Sequence, residues 1–135
     1  MEISPAALSP PALWLGHALM WPLVALAARG IGWRALLGGP AGHRFLGFTV
    51  AILVLWQIRA VVPPLPAMHL LGATFLTLMF GWRPALMALT AILLATSLAD
   101  LASLRSLGLN GLISCALPVL ITASAVRLLE RTVSE

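Results

Sequence analysis

The side chain with the clearest potential for chemistry is His69, which stands at the mouth of an apolar segment from Met68 to Trp82, MHLLGATFLTLMFGW. An ionisable side chain in hydrocarbon costs about 2.5 kcal/mol or more, so such residues usually face protein or water and have functional partners. Small residues from Gly72 to Thr74 would let another helix approach closely. Three interpretations of His69 stay open: a metal ligand, a partner for a helix end or for a carbonyl freed by Pro66, and a proton carrier.

The composition of the chain indicates an integral membrane protein. Hydrophobic residues make up 61% of the 135 residues and charged residues 9%, whereas soluble domains have about 45–50% and about 25%. This length suits one integral membrane domain, residues 1–135, with the lipid bilayer as its surroundings. All eight basic residues are arginines that stand singly between apolar blocks, so they indicate topology and no nucleic-acid partner is expected. Cys115 is the single cysteine and cannot form an internal disulfide.

Apolar stretches of near-membrane length predict an all-α, polytopic transmembrane bundle of about five helices. Proline is expected to disturb two of them, with a kink at Pro22 and a break or kink at Pro118, which frees the carbonyl of Ser114. Ala91, Ala95 and Ala99 form a ridge of small residues for close packing. The predicted spans are Pro11 to Ala28, Phe45 to Val62, the segment carrying His69, Pro84 to Leu101, and Leu107 to Val126.

Polar and glycine-rich sequence between the spans predicts the connections. Arg29 to Arg44 is expected to be an exposed loop, Ala102 to Ser106 a shorter one, and Arg127 to Glu135 a charged tail. If the spans alternate, six arginines lie on one side, and only Arg59 and Arg105 lie on the other. The positive-inside rule then places the C-terminus in the cytoplasm and the N-terminus outside. The same arrangement brings four polar residues to the outer side: Glu2, His69, Asp100 and Asn110.

Two short motifs carry a resemblance to a known family. His69-Leu-Leu-Gly72-Ala opens one segment, and Leu107-Gly-Leu-Asn110-Gly111 opens an apolar run that ends at Leu117-Pro118. This pattern resembles the core of the CbiM-like family, the membrane substrate-binding components of energy-coupling-factor cobalt and nickel transporters. The resemblance covers most of the chain and is strongest from about Pro66 to Pro118.

The resemblance implies a metal site at the N-terminus. In the family the ligands are the N-terminal amine, the second residue and a histidine that corresponds to His69, which here selects Met1, Glu2 and His69 as the metal-site residues. Four nitrogens in a plane suit Ni²⁺. Glu2 stands where the family has histidine and offers oxygen instead of nitrogen, which would lower selectivity for nickel or cobalt. The ion would be the transported substrate, and no permanently bound cofactor is expected.

The function implied by the resemblance is capture of a transition-metal ion from the outer side of a bacterial inner membrane. The chain has no Walker A glycine-lysine pattern, so the energy would come from an ATPase and a coupling membrane subunit. The alternative is an accessory or structural membrane protein that binds no metal, which Glu2 favours. No Ser-His pair, paired carboxylates or His-Glu-x-x-His pattern occurs in the sequence, so we predict that the chain is not an enzyme.

Overall fold

A computed structural model describes residues 8–58, 67–99 and 101–134, without the side chains of residues 67–69, 101 and 102. Within these ranges every regular element is helical, which confirms the all-α prediction. The longer helices are α1 (Pro10–Arg29), α3 (Gly39–Ile58), α4 (Ala67–Phe80), α5 (Trp82–Ser97) and α7 (Leu117–Val133). The shorter elements are α2 (Trp33–Leu37), a 3₁₀ connection (Leu101–Ser106), α6 (Leu107–Gly111) and a π-helical segment (Leu112–Ala116).

Helix α5 lies at the centre of the bundle and packs against α1, α3, α4, α6 and α7. Its side chains Leu86, Leu89 and Ile92 are almost fully buried, together with Leu76 of α4 and Val119 of α7. Lipid tails are as apolar as leucine, so the hydrophobic effect contributes little to helix association inside a bilayer. Close packing must therefore hold this core together, with a buried leucine making roughly 40–60 atom contacts of about 0.1–0.2 kcal/mol each.

Contacts between the helices fix their relative directions. At one end, the guanidinium of Arg83, in the first turn of α5, donates from Nη1 to the Gly30 carbonyl after α1, over 2.9 Å. At the other end, His17 near the start of α1 bonds to the carbonyl of Arg105, just before α6. The ring of Phe45, near the start of α3, lies edge to face with that of Phe80 at the end of α4, with 5.2 Å between the ring centroids. The longer helices therefore alternate in direction along the chain, as the sequence predicts. We call the end that holds His17 and Arg105 the His17 end.

Within the described ranges, three helical runs are long and apolar enough to cross a membrane: Pro10–Arg29, Gly39–Ile58 and Ser103–Val133. Helices α4 and α5 are also apolar but shorter, 14 and 16 residues. The five predicted spans thus correspond to five apolar helical runs, of which three have full membrane length. The placement of the N-terminus outside stays a prediction.

Two segments predicted as irregular are helical. The segment from Arg29 to Arg44 holds α2 and the start of α3, although we expected a loop, because Gly38 and Gly39 turn the chain locally and helix resumes at once. Pro40 lies in the first turn of α3, where a missing N–H breaks no helical hydrogen bond. The predicted charged tail is also helical, since α7 continues to Val133.

Pro118 disturbs the helical hydrogen bonds of the last span, as predicted. Helix α1 continues past Pro22. The π-helical segment ends one residue before Leu117-Pro118, and it includes Ser114, whose carbonyl Pro118 cannot pair with. Pro118 therefore disturbs the last span without breaking it: the disturbance is a π bulge, a common response to an interrupted α ladder, and the helical run continues from Ser103 to Val133. Pro22 lies inside α1, which continues to Arg29.

The ridge of Ala91, Ala95 and Ala99 is exposed on the outside of the bundle. The close packing of α5 inside the chain uses a different face, which includes Ala85 and Ala88. The expected packing of the ridge against a neighbouring helix is therefore absent among the described helices of this chain.

Candidate functional site

Of the three predicted metal-site residues, the structure describes only His69, and only its backbone. Met1 and Glu2 are outside the described residues, and His69 is described only through its backbone, in the first turn of α4. Helices α1 and α4 run in the same direction, so His69 and the start of α1 belong to the same end of the bundle. The meeting of the three residues at one ion stays a prediction.

His17 carries the best-defined polar contacts at this end. The Trp21 indole nitrogen Nε1 donates a hydrogen bond to His17 Nδ1 at 3.1 Å, one turn along α1. Because Nδ1 accepts, the neutral imidazole carries its proton on Nε2. Nε2 lies 3.1 Å from the carbonyl oxygen of Arg105, 88 residues away in sequence, and donates to it. Both ring nitrogens of His17 are therefore occupied, and the tautomer is fixed by its two partners.

A second set of hydrogen bonds begins at the residue after Arg105. Asn110 is 3% exposed and donates from Nδ2 to the Ser106 hydroxyl at 3.1 Å. The Ser106 hydroxyl, on a residue 1% exposed, donates in turn to the Ser103 carbonyl at 3.1 Å. The side chain of Asn110, which belongs to the Leu-Gly-Leu-Asn-Gly motif, is thus tied to the 3₁₀ connection. Its prediction as a polar residue at the outer side fits this position.

Helices α1 and α6 approach most closely at two glycines. A Cβ built on Gly16 would lie 2.6 Å from the backbone nitrogen of Leu109, and one built on Gly108 would overlap the backbone of Gly16 and His17. Neither neighbour can move away cheaply, because both contacts involve backbone atoms. This contact places His17 against α6 and explains why small residues are required there.

A cavity of about 510 Å³ opens beside His17. Most of its wall is apolar, and the polar side chains that reach it are those of His17 and Arg105. Since both imidazole nitrogens already have partners, the cavity offers a cation no free histidine nitrogen. The lining residues are Pro10, Leu13, Trp14, His17, Trp21 and Arg105.

The remaining metal-binding residue types do not gather elsewhere in the described part of the chain. No group of three histidine, cysteine, aspartate or glutamate residues is close enough there to hold a metal ion. His43 is exposed near the start of α3, where it donates from Nδ1 to the Gly39 carbonyl at 3.0 Å. Cys115 is fully buried in the π-helical segment. Asp100, one of the four polar residues predicted at the outer side, lies outside the described residues.

The apolar helices, their alternating directions and a polar cluster at one end define a polytopic membrane protein. A family model described as CbiM, cobalt uptake substrate-specific transmembrane region, matches residues 2–135. The chain therefore belongs to the CbiM family, a family of membrane components for cobalt transport and not of enzymes. Searches of curated proteins and of solved structures gave no match.

His17 was not among the candidate site residues selected from the sequence. Its partner Arg105 lies in the 3₁₀ connection before α6, and no local sequence pattern connects the two residues. The position of His17 directly after Gly16 was the available signal, because a glycine in an apolar helix indicates a close helix contact.

Proposed function

We propose that this chain is the substrate-binding membrane component of a cobalt uptake transporter, and that it captures the ion from the outer side. The match of the CbiM family model over residues 2–135 carries this proposal. The described fold supports it, because the helices pass back and forth and the His17 end gathers buried polar side chains. A closely related ion such as Ni²⁺ would also bind, since nitrogen donors suit both metals.

The proposed metal site consists of Met1, Glu2 and His69. Nine peptide units separate Met1 from Pro10, so the N-terminal segment can reach about 30 Å from the start of α1. His69 begins α4 at the same end of the bundle, which is within that reach for a bundle of this size. The carboxylate of Glu2 adds an oxygen donor, and we expect weaker discrimination between divalent ions than an all-nitrogen site would give.

Transport against a gradient requires partners. The chain has no lysine and therefore no Walker A motif for a nucleotide. We propose that an ATPase and a coupling membrane subunit of the energy-coupling-factor type supply the energy. The location that follows is the bacterial inner membrane, with the N-terminus outside and the arginine-rich end in the cytoplasm.

Cobalt uptake by living cells tests this function. We would delete the gene in its host and restore it as wild type, as His69→Ala or as His43→Ala, then follow accumulation of radioactive cobalt at limiting concentration. We expect wild type and His43→Ala to restore uptake and His69→Ala to remain at the level of the deletion. His43 is the matched control because it is an exposed histidine bonded only within its own helix.

Equal uptake with and without the gene would contradict the proposal. That result would favour an accessory or structural membrane protein that binds no metal.

A further inference from the structure

We propose that His17 is a positioning residue, which fixes the start of α1 against the Ser103–Asn110 region and so sets where the metal-binding N-terminal segment leaves the bundle. This inference deepens the proposed function and rests on it. It assigns to His17 a role in metal affinity without contact to the metal.

His17 cannot serve as a ligand in the observed arrangement. A metal ion needs a ring nitrogen with a free lone pair. Nδ1 accepts the Trp21 N–H, and Nε2 carries the proton that is donated to the Arg105 carbonyl. Binding an ion would require one of these hydrogen bonds to break.

One turn of α1 contacts the Ser103–Asn110 region at two neighbouring points. The His17 ring holds the carbonyl of Arg105, and the backbone of Gly16 and His17 lies directly against Gly108 and Leu109. Ser106 lies between these two points, and its hydroxyl receives the Asn110 amide. The buried Asn110 side chain is thus bonded to the same connection that α1 contacts.

The same contact lies close to the start of α1. Helix α1 starts at Pro10, only two turns before His17. If the His17 bond is lost, the glycine contact remains but the first two turns of α1 lose their polar anchor to the Arg105 carbonyl. The start of α1 is then less restricted, and more conformational entropy must be lost when ion binding fixes it.

Equilibrium Co²⁺ binding to purified protein with a native N-terminus tests this role. We would compare wild type with His17→Phe, which keeps a planar ring without hydrogen bonds, and with His17→Gln, whose amide can donate to the Arg105 carbonyl. Trp33→Phe is the matched control, because it removes an indole hydrogen bond to the Ala28 carbonyl at the opposite end. Loss of one hydrogen bond corresponds to about a two- to tenfold change in an equilibrium constant.

We expect His17→Phe to raise the Kd about three- to tenfold with unchanged stoichiometry, and His17→Gln and Trp33→Phe to stay close to wild type. Rescue by glutamine excludes a direct ligand, since an amide does not replace imidazole on the metal. A purely structural role would instead lower the fraction of binding-competent protein in His17→Phe without changing the Kd of the remainder. That result would overturn the inference, as would equal Kd values for all four proteins.

Nitrogen NMR of protein labelled in its histidine rings gives an independent readout. The His17 signals, assigned by their loss in His17→Phe, should show a proton on Nε2 and none on Nδ1 in the absence of metal. A proton on Nδ1 would overturn the proposed arrangement. Absence of Co²⁺ binding in the wild type would overturn both the proposed function and the role of His17. Co²⁺ binding with the same Kd in the wild type and the His17 variants would overturn only the role of His17.

Discussion

At the residue scale, the central observation is that both ring nitrogens of His17, a histidine in an apolar helix, have hydrogen-bond partners. One partner comes from the next turn of its own helix and the other from a distant carbonyl. His17 is only half-buried, and each of the two hydrogen bonds contributes about 0.5–1.5 kcal/mol to a defined ring orientation. The polar network of Ser106 and Asn110 lies directly beside this histidine.

The glycine contact between α1 and α6 leads to a stability prediction at the same scale. Gly108→Ala places a methyl group into the backbone of α1, and such overpacking costs about 1–3 kcal/mol. We expect the free energy of unfolding in detergent to fall by this amount.

Gly47→Ala is the control for this prediction, because nothing lies within 4 Å of a Cβ built there. It should leave stability unchanged or raise it by up to about 1 kcal/mol, since alanine favours helix. An equal response of both variants would contradict the close contact between α1 and α6.

At the scale of elements, the turn between α4 and α5 depends on the backbone of one glycine. Gly81 has φ 86° and ψ 167°, a region essentially restricted to glycine. Gly81→Ala has room for its methyl group, so its cost is purely conformational, about 1–3 kcal/mol. Thermal unfolding should show a lower melting temperature.

Gly32→Ala is the comparison for the turn, because Gly32 has φ −76° and its nearest neighbour to a Cβ is 3.9 Å away. We expect little change in its melting temperature. A Gly81→Ala protein as stable as wild type would show that the α4–α5 turn adopts another backbone conformation.

The sequence predicted helices better than connections, and the reasons are local. Apolar stretches indicated α1 to within one residue at each end, whereas the last run ends at Val133, seven residues beyond the predicted Val126. Pro118 indicated the disturbance within that run. The glycines and arginines between Arg29 and Arg44 suggested a loop. Helix propensities count Pro40 as a helix breaker, although a proline in the first turn of a helix is compatible with it. The form of the disturbance, a π bulge, depends on packing around Ser114 and Cys115.

The candidate site was less predictable than the fold. The family resemblance selected Met1, Glu2 and His69, whose meeting remains a prediction. The two contacts of His17 could not be predicted because one of them joins residues 88 positions apart, and such pairs follow from helix packing instead of from local sequence.

At the scale of the whole molecule, the distribution of arginines predicts the orientation. Among the described arginines, Arg29, Arg34, Arg44 and Arg83 lie near the helix ends opposite His17, whereas Arg105 lies at the His17 end. The rule that basic loops remain in the cytoplasm then places the His17 end outside.

Single cysteines test this orientation. Ser9→Cys and Ser134→Cys are both at exposed positions, and the native Cys115 is buried at 0% exposure. In intact cells a membrane-impermeant maleimide should label Ser9→Cys and leave Ser134→Cys unlabelled until the membrane is opened. The reverse pattern would contradict outer-side capture.

The measurement that tests the account most directly is equilibrium binding of Co²⁺, Ni²⁺ and Zn²⁺ to detergent-purified protein with a native, untagged N-terminus. Wild type, His69→Ala and His43→Ala should be compared. The account predicts one ion bound per chain by wild type and His43→Ala, and loss of this binding in His69→Ala. Absence of binding in the wild type, or binding that His69→Ala leaves unchanged, would contradict it.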